Sequence, residues 1–164
     1  MDSYVECLVK AKPQTMWKFL KILLIMLTAV FLFLTLMTGL LMFILAIVSG
    51  VGVYFANMKA NVEYEYLYLD RELTIDKIMA QTKRKRVAVY KVDRMEIFAP
   101  IKSYHLDNFK NRQVKEKDYS IGEELKPDRR YVFYYEGGEK VIVSPSEEMV
   151  KAMKMVAPRK VFND

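Results

Sequence analysis

The longest pattern in the chain is an uninterrupted apolar stretch near its N-terminus. Residues 22–56 contain no Lys, Arg, Asp, Glu, His, Asn or Gln. A helix rises about 1.5 Å per residue, so one helix over this stretch would be roughly 52 Å long, against a hydrocarbon core of about 30 Å. Thr38 and Gly39 offer a break that leaves two apolar runs, 22–37 and 40–56, each close to the minimum of about 17 residues for a crossing. The pattern therefore predicts a transmembrane helical hairpin over 22–58.

The second apolar run carries small side chains at regular spacing. Ala46 and Gly50 are four residues apart, and so are Gly52 and Ala56. Small residues at this spacing let helix backbones approach closely, so these four predict a helix-packing surface. The sequence leaves open whether that surface contacts the first helix of the same chain or a second copy of the protein.

Charged and aromatic side chains flank the apolar stretch, as they do at membrane boundaries. The predicted interface anchors are Trp17, Lys18, Lys21, Tyr54 and Lys59. Because Lys and Arg near the ends of a span stay in the cytoplasm, and the central break carries no charge, both termini are predicted to be cytoplasmic. The chain is thus expected to be a multi-pass protein of the cell (plasma) membrane.

Residues 1–21 form the predicted N-terminal segment, cytoplasmic or interfacial. Val5, Leu8 and Val9 lie at helical spacing, which fits a short interfacial helix with Lys10 and Lys12 on its polar side. The sequence does not decide whether that helix forms.

From Val62 onward the pattern changes to alternating polar and apolar side chains, which is typical of half-buried strands. Seven such segments are predicted: 62–69, 72–79, 86–92, 95–99, 114–119, 131–135 and 140–143. Gly137 and Gly138 supply the turn of the last hairpin, because a two-residue turn demands positive φ angles.

The last predicted element is an amphipathic helix. Ser144, Pro145 and Glu147 match a capping box with proline at the first helical position. One apolar stripe at helical spacing follows, formed by Met149, Ala152, Met153 and Val156.

Seven strands followed by one helix is the element order of the pleckstrin-homology (PH) superfold. The chain resembles bacterial membrane proteins in which a transmembrane hairpin leads directly into a PH-like domain, and in particular a small uncharacterised family of that build. The resemblance implies an α+β membrane protein, with a two-helix transmembrane hairpin followed by a PH-like seven-stranded antiparallel β-barrel or sandwich and a C-terminal helix. The cytoplasmic PH-like domain would occupy residues 62–161. Such folds host many unrelated functions, so the resemblance implies no activity.

Residues that active sites commonly need are scarce in this chain. Cys7 is the only cysteine, which excludes a disulfide or a thiol metal cluster within one chain, and His105 is the only histidine. Its neighbour Asp107 could supply a second metal ligand, but the sequence offers no evident third. No catalytic residue, cofactor or metal site is predicted, and the chain is expected not to be an enzyme. The apolar runs lack ionisable side chains, which argues against a transporter.

The sharpest local feature is a basic cluster, Lys83, Arg84, Lys85 and Arg86, between the second and third predicted strands. In the antiparallel meander that opens a PH-like domain, this connection returns to the end at which the first strand left the membrane. The cluster is therefore predicted to contact anionic lipid headgroups, where each Lys or Arg contributes about 1 kcal/mol. The alternative is a solvated strand end. Nucleic acid is not an expected partner, because the hairpin fixes the protein in a membrane.

The sequence thus favours a membrane-anchored cytoplasmic interaction module that binds a protein partner or self-associates. The alternative is a sensor or adaptor of anionic lipid headgroups that acts through the basic cluster. The expected partners are membrane lipids and either another protein or a second copy of this chain. Headgroup binding should collapse at high ionic strength, whereas partner binding through an apolar strand edge should persist.

Overall fold

The structure, a computed structural model, describes residues 4–122 and 128–163. The chain divides into two compact units: a helical unit made of Pro13–Val62 and Met79–Lys83, and a β unit made of the rest. The predicted segments 1–21 and 62–161 include residues 1–3 and 123–127, which lie outside the described residues. The predicted boundary at residue 21 differs from the structure, because residues 4–12 belong to the β unit.

Both helices of the helical unit form where the apolar pattern predicts them. Helix α1 spans Thr15–Thr38 and helix α2 spans Leu40–Ala60. Gly39 separates them at φ 80° and ψ −148°, a backbone conformation that is essentially restricted to glycine. Each helix is long and apolar enough to cross a membrane.

The small residues of α2 differ in whether other side chains pack against them. Ala46 and Ala56 are buried, and a β-carbon on Gly52 would meet Leu24 of α1 at 3.3 Å. By contrast, a β-carbon on Gly50 would meet nothing within 4 Å. The structure therefore places Gly52 against the first helix of the same chain and leaves space beside Gly50.

One polar contact joins the two helices midway along their length. Thr28 Oγ1 and Ser49 Oγ are 2.8 Å apart and share a hydrogen bond. Interhelical hydrogen bonds of this kind contribute about 0.6 kcal/mol in a membrane. This contact favours one alignment of α1 along α2.

The first sheet of the β unit has the strand order β1-β2-β3-β4. Its strands are β1 (Val5–Lys10), β2 (Val62–Leu69), β3 (Glu72–Met79) and β4 (Lys83–Lys91). A two-residue turn joins β2 to β3 and a three-residue turn joins β3 to β4. Positive φ angles occur at Asp70 and Arg71 in the first turn and at Ala80 and Gln81 in the second. Such tight turns are compatible only with antiparallel neighbours.

Strand β1 corrects the interfacial helix considered for the N-terminal segment. It is antiparallel to β2, with Cys7 opposite Tyr66. Val5, Cys7 and Val9 pack against the hydrophobic core, so the apolar side chains that matter recur every second residue rather than every third or fourth. The helical spacing that includes Leu8 is coincidental, because Leu8 is exposed.

The second sheet has the strand order β5-β7-β8-β6. Its strands are β5 (Met95–Pro100), β6 (Lys115–Asp118), β7 (Tyr131–Tyr135) and β8 (Glu139–Val143). β7 is antiparallel to β5 and β8, whereas β6 runs parallel to β8. A 3₁₀ helix, Tyr104–Phe109, lies between β5 and β6 in the chain.

These two sheets differ from the predicted antiparallel barrel in four respects. One pair of neighbouring strands is not antiparallel, because β6 runs parallel to β8. The described residues contain eight strands, because β1 precedes the helices. The predicted meander of the first four strands after the hairpin is wrong, because the 3₁₀ turn Val92–Arg94 directs β5 into the other sheet. The last hairpin has its positive φ angles at Glu136 and Gly137, one residue earlier than predicted.

Helix α3, Glu147–Val156, begins later than the capping box predicts. Its N-cap is Ser146, whose hydroxyl accepts a hydrogen bond from the Met149 N–H at 3.3 Å. Ser144 instead accepts from the Ile121 N–H at 3.3 Å. The predicted cap at Ser144 is wrong because Ser144 and Ser146 are both able to cap the helix, and the Ser144 hydroxyl is already bonded to the loop at Ile121.

The main core lies between the two sheets and α3. Its largest fully buried side chains include Tyr66, Phe98, Phe133 and Met149. The Tyr66 hydroxyl donates to the Tyr119 carbonyl at 2.6 Å and accepts from the Ser144 N–H at 3.2 Å. Burial raises the pKa of Tyr66 well above its usual value, so this tyrosine is a neutral structural crosslink.

Candidate interaction surfaces

The basic cluster at 83–86 lies within a strand rather than in a loop. All four side chains are exposed at the start of β4. Because side chains alternate along a strand, Arg84 and Arg86 point to one face of the sheet and Lys83 and Lys85 to the other. The structure therefore splits the predicted headgroup contact into two pairs of residues.

Arg84 and Arg86 face two buried carboxylates of the same sheet, Asp76 on the neighbouring strand β3 and Glu65 on β2 beyond it. Arg84 Nε donates to Asp76 Oδ2 at 2.7 Å, and Arg84 Nη2 contacts Glu65. Arg86 Nε lies 3.6 Å from Asp76 Oδ1. The side chains of Glu65 and Asp76 are only 9% and 6% exposed, whereas that of Arg84 is 50% exposed. Much of the positive charge of the cluster is thus balanced within the sheet.

Two residues of the N-terminal strand region extend this network. The Tyr4 hydroxyl donates to Glu6 Oε2 at 2.7 Å, and this hydrogen bond lowers the pKa of Glu6. Burial, together with a hydrogen bond to Glu6, raises the pKa of Glu65. The network therefore connects β1, which precedes the helices, to β2, β3 and β4, which follow them.

Lys83 and Lys85 have no ion pair within the part of the chain that the structure describes. They follow the β3–β4 turn, where the Ala80 N–H donates to the Asn61 carbonyl at 2.7 Å. Asn61 is the residue that joins α2 to β2. The turn before the two lysines is thus bonded to the end of α2.

The predicted interface anchors lie near the open end of the helical hairpin. Lys59 Nζ lies 4.3 Å from the centre of the Trp17 ring, and Lys21 Nζ donates to Asn57 Oδ1 at 2.9 Å. These contacts join α1 to α2. Lys18 and Tyr54 are exposed.

The sheet edges differ in how far they are covered. The edge of β5 is occupied by the C-terminal segment, because the Phe98 N–H donates to the Lys160 carbonyl and the Phe98 carbonyl accepts from the Phe162 N–H, both at 2.8 Å. Between them Val161 is buried. By contrast, β4 ends the order of its sheet, so no described strand lies on its outer side.

The described residues contain no group of three His, Cys, Asp or Glu side chains that could hold a metal ion. His105 packs between two aromatic rings, 4.0 Å from Tyr104 and 3.8 Å from Phe162 between ring centres. Burial raises the pKa of the Cys7 thiol, which makes it a poorer nucleophile. These surroundings are those of structural side chains.

Comparison with known proteins gives one match. The family model described as bacterial PH-like domain (DUF6106) matches residues 1–163, almost the whole chain. No curated protein and no solved structure is significantly similar to it.

Proposed function

We propose that this chain, which belongs to the family of bacterial PH-like domains (DUF6106), is a membrane-anchored interaction module without enzymatic activity. Its β unit would bind a protein partner along the free edge of β4. The open edge of β4 is the observation that carries this proposal.

The membrane anchor in this proposal is the helical hairpin. Most side chains of α1 and α2 are apolar and exposed in the isolated chain, as lipid-facing residues are. β1 and β2 flank the hairpin and are neighbours in one sheet, so in this proposal both ends of the hairpin would lie on the same side of the membrane. Lys18, Lys21 and Lys59 favour the cytoplasmic side of the inner membrane.

The partner would bind by adding a strand to the first sheet. An edge strand presents a row of unpaired N–H and C=O groups, and extended peptides pair with such rows. β5 is less suitable because its edge is held by residues 160–162. Pairing with a second copy is disfavoured, because an antiparallel pair of β4 strands centred on Val87 would set Lys83 opposite Lys91. A different protein is therefore favoured over self-association.

Photocrosslinking in cells tests this proposal. A photoreactive amino acid would replace Val89, which is exposed on β4, and in a second variant Met155, which is exposed on α3. We expect a discrete adduct from position 89 that persists in high salt and is absent from position 155. An adduct with the mass of two copies of this chain would show self-association at β4 instead of binding of a different protein. Equal labelling from both positions would contradict binding at β4.

We also propose a second candidate function, the recognition of anionic lipid headgroups by Lys83 and Lys85. Two observations favour it: both lysines lack an ion pair in the described structure, and the turn before them is bonded to Asn61 at the end of α2. If α2 spans a bilayer, Asn61 lies near its surface. Each lysine there would contribute about 1 kcal/mol to contact with an anionic leaflet. Arg84 and Arg86 would contribute less, because Glu65 and Asp76 balance their charge.

A spin label at the β3–β4 turn separates this candidate from the first. The full chain, with Cys7→Ser and Thr82→Cys, would be labelled and placed in nanodiscs with or without phosphatidylglycerol. We expect the label to become less mobile in anionic lipid and to regain its mobility in 1 M salt. At that concentration the Debye length is only about 3 Å, so the attraction between the lysines and the headgroups is screened. The effect should be lost in Lys83→Ser/Lys85→Ser and absent from a label at residue 104. Identical mobility in both lipids would contradict headgroup contact.

A further inference from the structure

A small cavity opens on the second sheet, separate from the edge of β4. It encloses about 240 Å³ between β7, β8 and the segment that follows β5. Its floor contains Leu106, Val132 and Tyr134, each at most 4% exposed. Ile101 and Val114, both half-buried, complete its apolar walls.

The volume of this cavity limits what it can hold. Pockets for drug-sized ligands enclose about 300–1,000 Å³. A cavity below that range suits a single large side chain rather than a complete cofactor or a lipid chain. The apolar floor requires that this side chain be apolar, since an unpaired polar group would lose its contacts with water.

The rim of the cavity is mainly basic. Lys110, Arg112 and Lys140 line it together with one carboxylate, Glu116. Each cation has an exposed ion pair: Lys110 with Asp107 at 2.6 Å, Arg112 with Glu96 at 2.7 Å and Lys140 with Glu116 at 2.8 Å. Exposed ion pairs are weak, so carboxylates of a ligand can replace the present partners without leaving a charge buried.

We infer that this cavity receives one large apolar side chain carried by an acidic segment of a protein partner. The apolar floor selects the side chain, and the three cations on the rim select the acidic residues on either side of it. Aromatic contacts already present support an aromatic side chain, because the Phe109 and Tyr134 rings are 4.9 Å apart at the cavity. The β4 edge would bind backbone, whereas this cavity would bind a side chain.

Peptide titration of the full chain in detergent micelles tests the inference by NMR. The probe is the acetylated, amidated pentapeptide Asp-Glu-Phe-Asp-Glu. We expect saturable shifts of the amide signals of Val132, Tyr134 and the segment 101–114. An Ala in place of the central Phe, or Lys in place of all four acidic residues, should weaken binding at least tenfold.

Variants locate the binding site. Lys110→Glu/Arg112→Glu should also lower the affinity for the probe peptide at least tenfold. Val114→Phe, which narrows the cavity, should lower that affinity as well without altering the charge of the protein. Lys83→Glu/Lys85→Glu changes the same number of charges on β4 and should leave probe binding unchanged. Equal binding of the acidic and basic peptides, or unchanged binding to Lys110→Glu/Arg112→Glu, would overturn the inference. Neither result would bear on strand addition at β4, since photocrosslinking at Val89 tests that separately.

Discussion

Lys10 and Glu63 lie directly opposite each other in neighbouring strands, although both long helices stand between them in the chain. The helical hairpin is therefore an insertion between two paired strands, in the place that a short turn occupies in an ordinary β-hairpin. Lys10 and Glu63, which flank this insertion, are held at the spacing of adjacent strands, about 4.8 Å in the hydrogen-bonding direction.

The first prediction concerns topology, because the proposed membrane anchor places both ends of the hairpin on the cytoplasmic side. In a Cys7→Ser background, we expect a membrane-impermeant maleimide to modify Thr38→Cys from outside intact cells. Tyr104→Cys should react only after permeabilisation. Thr38 and Tyr104 are both exposed. Ser120 would be an unsuitable reporter, because it is only 2% exposed. Labelling of residue 104 from outside would reverse the predicted orientation.

The second prediction concerns the break between the helices. Gly39→Val should destabilise the hairpin by about 1–3 kcal/mol, because the residue would be held at φ 80° and ψ −148°. Gly50→Ala is the matched control. A methyl group there meets nothing within 4 Å, and alanine in a helix interior is favoured over glycine by about 0.5–1 kcal/mol. Thermal unfolding in micelles, followed by circular dichroism, should give shifts of opposite sign.

The third prediction concerns the carboxylates beneath Arg84. Arg84→Gln should lower the melting temperature by several degrees, because Glu65 and Asp76 would keep their burial and lose their closest cation. Adding Glu65→Gln and Asp76→Asn should restore much of the loss, since no buried charge would remain. Lys85→Gln, which removes an unpaired exposed charge, should have little effect. Equal destabilisation by Arg84→Gln and Lys85→Gln would show that the ion pairs contribute nothing.

The fourth prediction concerns acid sensitivity. Arg130 donates to both oxygens of Asp128, at 2.9 Å and 2.8 Å, and these bonds lower the pKa of Asp128 from about 3.8. A carboxyl with a lowered pKa in the folded state stabilises the protein above its unfolded-state pKa. That contribution is lost as the pH falls from about 3.8 through the folded-state pKa.

Melting temperatures measured between pH 2 and pH 6 test this prediction. Asp128→Asn should lower stability at pH 6 and should show a smaller further loss on acidification than the unmodified protein. Asp70→Asn, at an exposed turn position, is the control and should keep the original pH dependence. A parallel fall in Asp128→Asn and the unmodified protein would contradict the assignment.

The hairpin could be predicted from the sequence because its determinants are local. The charge-free stretch is long enough for two apolar helices, and Gly39 separates them because glycine adopts the required backbone angles without a steric penalty. The strand pattern from Val62 was also readable, because alternating side chains face a core on one side only. The chain's membership of the family of bacterial PH-like domains agrees with the resemblance to PH-like proteins that these elements indicate.

The sequence was less informative where the partner of a segment is remote. β1 has only six residues, and Val5, Leu8 and Val9 fit a helix as well as Val5, Cys7 and Val9 fit a strand. Only its pairing with β2, beyond the whole hairpin, decides between the two. Likewise, four consecutive basic residues are unusual in a strand. Glu65 on β2 and Asp76 on β3 make that strand possible by balancing the charges of Arg84 and Arg86.

The insertion of the helices between β1 and β2 also dictates an order of assembly during translation. β1 leaves the ribosome first but must wait, unpaired, until both helices and then β2 have been synthesised. The first sheet can therefore close only after the whole helical hairpin has been synthesised. A chain that stops within the hairpin would lack β2 and leave β1 unpaired, so a folded β unit marks a chain that has been translated beyond the hairpin.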